Sequence, residues 1–308
     1  MIFLIIFGSL FLILLIAYFI ISYMIFKKSF KRGISKNLLD VDLSNTHYAP
    51  YVDILYPAIR HMMEEEYTEI KIKAFDGIEL YARFFDRKSD VTDIMSHGYR
   101  AIPYNNFSFS GNYFLERGYN VLFIYHRGHI YTEGKYITMS YLESNDINSW
   151  VRYVENKIDK KIILYGTSLG GASVTISQIE EKHDSVKFII NDCGIDYSYN
   201  AINNALKEGH MPGFIFIPLV HLMAKIKGFG VYGKNLNKMV KDLDTPILFI
   251  HSKLDSTVDY NVSINLSKKC KSYSDVILTE NGGHTTSFMA SPSIVSNKIE
   301  EFIDKYII

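Results

Sequence analysis

Lys161–Ser173 reads KIILYGTSLGGAS, an apolar run that ends on a serine set between two glycines. KIILY has the length and composition of a strand buried on both faces. From Leu169 the chain reads LGGASVTISQIEEK, with the spacing of a helix. Gly166-Thr167-Ser168-Leu169-Gly170 must therefore turn the chain sharply between the two. A plain glycine-rich connection is one reading. The other is that the glycines let a nucleophile stand on a strained turn. There a side chain at Gly166 or Gly170 would collide with strand and helix, and the serine hydroxyl would rise above the sheet edge at a helix N-terminus. The Leu169 N–H would then point to where an oxyanion forms. The strand before and the helix after favour the second reading.

Working outward, the same rhythm recurs. YTEIKIKA from Tyr67 alternates polar and apolar residues, Phe75-Asp76-Gly77 signals a tight turn, and IELYARFF alternates again, which predicts an antiparallel hairpin. VTDIM (91–95), NVLFIY (120–125), KFIIND (187–192), TPILFIHS (245–252) and DVILTEN (275–281) are further strands. Helical stretches lie between them. One, around FSGNYFLERG, closes at Gly118, and another places Leu142, Ile147, Trp150, Val151 and Val154 on one side. The last, SIVSNKIEEFIDKYI, follows the final strand. Strands alternating with helices predict a mainly parallel central sheet flanked by helices, an α/β fold. Residues 193–244 interrupt the rhythm with helical patches, including GFIFIPLVHLMAKIKGFGVYG, and no strand. An insertion of that length between two strands reads as a helical cap over the site. Its apolar content suits an acyl pocket or lipid contact, although a cap that touches no substrate has the same sequence.

A serine hydroxyl needs a base to take its proton. In the loop after the last strand, Gly282-Gly283-His284 supplies a histidine, whose pKa near operating pH lets it accept and return one proton. His61, His183, His210 and His221 lie in helical or cap stretches and read as surface or packing residues. An acidic group must then orient the imidazole. Asp255 lies in the loop right after TPILFIHS. Asp259 reads as a helix-capping residue, and Asp192 ends the preceding strand, so both remain alternatives. A second oxyanion donor fits the loop Ser96-His97-Gly98-Tyr99-Arg100-Ala101, where Gly98 admits the backbone close to substrate and the Tyr99 N–H donates. His97 reads as structural, bonding neighbouring backbone.

Met1–Phe26 carries no charged side chain and measures about 39 Å as a helix, enough to cross a hydrocarbon core of about 30 Å with some tilt. No basic residue precedes the run and no small-residue cleavage site ends it, which favours an uncleaved anchor over a signal peptide. Lys27, Lys28, Lys31, Arg32 and Lys36 follow at once. They predict a cytoplasmic-facing domain on a single-pass anchor in the cell membrane, with a basic flank suited to anionic headgroups. The predicted organisation is an anchor over 1–26, a polar and partly helical connector over 27–66, and one catalytic domain over 67–308. Thirty-three basic and 33 acidic residues balance, so no global field points to nucleic acid. Cys193 and Cys270 form neither a disulfide framework nor a metal spacing, and no metal or organic cofactor is expected.

Together these residues resemble the α/β-hydrolase superfamily, and within it membrane-anchored bacterial members of the serine-aminopeptidase/monoacylglycerol-lipase-like group. The resemblance runs from about Tyr67 to the C-terminus. It rests on His97-Gly98, Gly166-Thr167-Ser168-Leu169-Gly170, His251-Ser252-Lys253-Leu254-Asp255-Ser256-Thr257-Val258 and Gly283-His284, and on the chain order Ser168, Asp255, His284. These motifs are specific for the fold and weakly so for the substrate. The resemblance departs at Tyr125-His126-Arg127-Gly128-His129-Ile130-Tyr131-Thr132-Glu133-Gly134, where the family often has D-x-R-G-H-G-x-S-x-G. It implies a serine hydrolase working through an acyl-enzyme, and the apolar N-terminal segment and the apolar insertion favour short, medium or lipid esters as its substrates. The rivals are a peptidase or amidase, for which Glu133 is the one hint of an amine subsite, and a scaffold with a vestigial site.

Overall fold

Residues 1–32, 42–158 and 161–308 are described by the computed structural model. Lys36, the last cation of the basic flank, lies outside them. The first helix, α1 (Ile2–Phe30), runs through the apolar stretch and on past it, with Lys27 and Lys28 in its last turn, where cations complement the helix dipole. Residues 42–66, the part of the expected connector described after Arg32, pack onto the body. α2 (Val52–Glu64) lies across α3 (Pro103–Glu116), and Leu43, Tyr48, Leu55 and Met62 are buried with it. Polar residues between these positions hid an apolar face.

The expected hairpin forms from β1 (Thr68–Lys73) and β2 (Glu79–Phe85). It is followed by β3 (Val91–Ser96), β4 (Asn120–Tyr125), α4 (Glu143–Lys157), β5 (Lys161–Thr167), α5 (Leu169–Glu180) and β6 (Val186–Asp192). The insertion contributes α6 (Ser198–Glu208), α7 (Gly213–Ile226) and α8 (Leu236–Met239). The chain then closes with β7 (Ile247–Ser252), α9 (Asn261–Lys269), β8 (Ser274–Thr279), α10 (Ser287–Ala290) and α11 (Pro292–Tyr306). The eight strands form one sheet in the order β1-β2-β4-β3-β5-β6-β7-β8. β1 and β2 are antiparallel to their neighbours, and every other pairing is parallel.

Each central strand divides its side chains between two layers because its side chains alternate. Ile163 and Tyr165 of β5 face α2, α3 and α11, while Ile162 and Leu164 face α4 and α5. A third apolar cluster joins α1, α6 and α7 to Leu169. The loops that carry Gly98, Ser168, Asp255 and His284 leave the carboxyl ends of β3, β5, β7 and β8, the edge where open α/β sheets place their sites.

Candidate active site

Ser168 occupies the strand-to-helix turn with φ 55° and ψ −116°, a conformation L-residues rarely adopt. Its neighbours explain why the turn requires glycine. A Cβ on Gly166 would lie 2.3 Å from the Gly170 carbonyl oxygen, and one on Gly170 would lie 1.7 Å from that of Ser96. The Ser168 N–H donates to the Asp192 carbonyl (2.9 Å), which pins the turn to the end of β6.

Three side chains converge on this turn. His284 Nε2 lies 2.9 Å from Ser168 Oγ, and His284 Nδ1 lies 2.8 Å from Asp255 Oδ2. With Asp255 ionised, the proton sits on Nδ1 and leaves Nε2 to accept from the serine hydroxyl. The Asp255 side chain is fully buried. Burial pushes its pKa up, but hydrogen bonds from His251 and His284, and from the Val258 N–H, outweigh that and hold the carboxyl well below its ordinary value. Thr257 and Val258 N–H donate to Asp255 Oδ1 at 2.8 and 2.9 Å, so the carboxylate is fixed on both oxygens.

The two alternative acids fall elsewhere. Asp259 accepts from the Asn261 N–H at the start of α9, the capping use read from the sequence. Asp192 Oδ2 accepts from Tyr165 Oη at 3.3 Å, its Oδ1 has no partner among the described residues, and burial raises its pKa to about 6. Neither bonds His284 among the described residues. Cys193 Sγ, Asp255 and His284 lie within 4.8 Å of one another, a donor set of the kind that can hold a metal. Burial keeps the thiol protonated, and both His284 nitrogens are already engaged, so the set does not fit one.

Leu169 opens α5, where the first N–H groups have no partner within the helix. The loop after β3 comes against Ser168: a Cβ on Gly98 would lie 3.4 Å from Ser168 Cβ. Three buried histidines stiffen this loop. His97 Nδ1 bonds the Gly98 carbonyl (2.8 Å) and its Nε2 accepts from the His126 N–H (3.1 Å), while His129 Nε2 accepts from the Arg100 N–H (3.1 Å). Tyr99 Oη donates to the Ser29 carbonyl at 2.9 Å, which ties the loop to the end of α1.

The departures after β4 are accommodated structurally. Thr132 Oγ1 donates to the Tyr125 carbonyl (2.6 Å) and accepts from the Tyr81 N–H (3.1 Å). Arg127 clamps the buried Asp146 through two nitrogens at 2.6 and 2.7 Å. Glu133 accepts from the Glu79 N–H and lines a cleft with Lys27, Arg32 and Lys135, in which no Ser168, Asp255 or His284 takes part.

Sequence reading missed Tyr48. Its buried hydroxyl accepts from Thr285 Oγ1 (2.9 Å), next to His284, and from Asn106 Nδ2 (2.5 Å); Asn106 Oδ1 in turn accepts from the Gly98 N–H (2.8 Å). One phenol thus joins the loop that carries His284 to the loop beside Ser168. His47 Nε2 lies 3.1 Å from Thr285 Oγ1, with its ring 6.2 Å from that of His284. No local pattern marks either residue.

No protein-family model matches the chain. It is similar to the uncharacterised protein YqkD of Bacillus subtilis (strain 168), with 26% identity over 218 residues, which are 69% of this chain and 71% of that protein. Among solved structures, it resembles the esterase Pf2001 of Pyrococcus furiosus with TM-score 0.65 and 20% identity, over 80% of this chain and 95% of that one. It also resembles mouse alpha/beta hydrolase domain-containing protein 10 with TM-score 0.56 and 16% identity, over 77% of this chain and 99% of that one. The strand order, the serine turn and these likenesses agree: the chain has the fold of the α/β-hydrolase superfamily.

Proposed function

We propose that the protein is a membrane-anchored serine hydrolase that cleaves carboxylic esters. The observation that carries this reading is the continuous hydrogen-bonded chain Ser168–His284–Asp255 on a strained, glycine-flanked turn. Ser168 Oγ attacks the acyl carbonyl as His284 Nε2 takes its proton. Asp255 orients the ring and stabilises the imidazolium. The N–H groups of Leu169 and Tyr99 hold the oxyanion. His284 returns the proton to the leaving alcohol, and water, activated by the same nitrogen, releases the acyl group. No step calls on a metal or organic cofactor.

An ester substrate is favoured by the esterase among the structural neighbours and by the apolar cluster at Leu169. α1, the one described helix long and apolar enough to cross a membrane, supports a single-pass anchor. Its basic flank supports a cytoplasmic-facing catalytic domain over 67–308, with residues 193–244 as its cap. The test is hydrolysis of p-nitrophenyl esters of increasing acyl length, with Ser168→Ala as blank. Turnover that peaks at one length and disappears in the variant is the expected result. No turnover above the blank at any length would reject the ester reading.

A further inference from the structure

The length of α1 that stands clear of the body is set by what packs on it. Every residue from Ile2 to Ile16 is exposed, the helix begins to be covered at Ala17, and Ser22, Ile25, Phe26 and Phe30 are buried. The free part is about 22 Å long at 1.5 Å per residue. A hydrocarbon core is about 30 Å thick. A spanning α1 therefore draws part of the body into the bilayer.

The element beside α1 at that level is α7. Tyr18 Oη donates to the Ile215 carbonyl (3.0 Å), and the Tyr18 ring stacks on Phe216 at 5.9 Å. Toward the other end, the Phe30 and Phe229 rings meet at 5.1 Å. The two helices thus run side by side in the same direction. α7 buries Gly213, Ile217, Val220 and Ala224 and turns the opposite stripe outward, with Phe214 73%, Leu222 55% and Ile226 71% exposed. Cations close the apolar surface of both helices: Lys27 and Lys28 on α1, and Lys225 and Lys227 at the end of α7. Below them lies a cleft of about 1000 Å³ with Lys27, Lys31, Arg32, Lys135 and Lys227 in its lining. Its charge complements anionic headgroups.

We propose that the outward stripe of α7 is a second membrane-contacting surface, seated beside α1 at the boundary of headgroups and acyl chains in an anionic bilayer. The proposal rests on the reading of α1 as an anchor. Exposed Lys207, Glu208 and His210 just before α7 keep the insertion shallow, on the order of the 5–10 Å of an interfacial helix. The buried stripe of α7 packs in the same cluster as Leu169, the residue after Ser168. The bilayer-facing helix therefore backs onto the wall of the site, and the substrate class this favours is an ester that partitions into lipid.

The test places an environment-sensitive fluorophore on single cysteines in the full chain, with Cys270 replaced by serine and Cys193 left buried. Phe214→Cys and Leu222→Cys report on the stripe, Leu10→Cys on the anchor, and Asp304→Cys on a distant exposed surface. The protein is reconstituted into vesicles of phosphatidylcholine and phosphatidylglycerol that carry brominated acyl chains as quencher. Quenching at 10, 214 and 222 but not at 304 is the expected result. Quenching at 10 without quenching at 214 and 222 overturns the proposal and leaves the anchor standing. No quenching at 10 removes the anchor reading, and the proposal with it.

Discussion

Ser168 holds its backbone at φ 55° because three constraints meet there: Gly166 and Gly170 let strand and helix close on each other, and the Asp192 carbonyl holds the Ser168 N–H. Each constraint is steric or hydrogen-bonded, so the serine is set before any substrate arrives. The same is true of His284, whose loop is fixed through Thr285 to the Tyr48 hydroxyl. Tyr48→Phe keeps the buried ring and removes only the oxygen that joins the two loops. On the proposed mechanism, a loosened approach of His284 and the Gly98–Tyr99 loop costs rate rather than affinity, so kcat on a p-nitrophenyl ester should fall on the order of tenfold with KM nearly unchanged. Steady-state kinetics alongside a thermal unfolding curve check this. An unchanged kcat would reduce the phenol to a packing group.

At the scale of the elements, the strands show both the rule and an exception to it. β4 and β5 alternate between two apolar layers with little polar intrusion. β3, at the centre of the sheet, buries Asp93 completely, and neither carboxylate oxygen has a hydrogen-bond partner among the described residues. Burial alone pushes its pKa well above the ordinary 3.8. A carboxyl whose pKa is raised by folding contributes stability that is present below pH 3.8 and lost as the pH rises through its folded value. Asp93→Val, which suits a buried strand, should therefore stabilise the protein by about 1–3 kcal/mol at neutral pH. The gain should shrink as the pH falls toward about 4, a sign that urea unfolding in detergent at the two pH values reads directly.

At the scale of the whole molecule, the apolar N-terminal helix is keyed to the α/β body through side-chain hydrogen bonds. Tyr99 and Arg100 side chains donate to carbonyls at the end of α1, and Arg32 donates to the carbonyls of Ile130, Thr132 and Gly134. The loop beside Ser168 and the last turn of α1 are thus joined by hydrogen bonds. If the α7 stripe meets lipid, exposed side chains there govern access and not chemistry. A Phe214→Ser, Leu222→Ser double variant should keep its turnover of a soluble short-chain ester. It should lose on the order of tenfold on a long-chain ester presented in vesicles, from the apolar surface removed. Equal losses in both formats would move the stripe from substrate access to folding.

The sequence by itself determined the alternation of strands and helices, the antiparallel hairpin, the turn at Ser168, and the histidine, His284, that the structure brings to it. Each of these is written in a local pattern: a period of two, a helix spacing, a glycine pair, a short loop after a strand. It also carried the length and apolarity of α1. Only the tertiary structure decided that Asp255 rather than Asp192 or Asp259 meets His284, since all three sit at strand ends or loops of similar composition. It alone brought Tyr48 from a polar-looking segment to a loop 237 residues away, and laid α7 along α1. Such contacts depend on where the sheet order and its crossings carry distant segments, and no window of neighbouring residues contains that information.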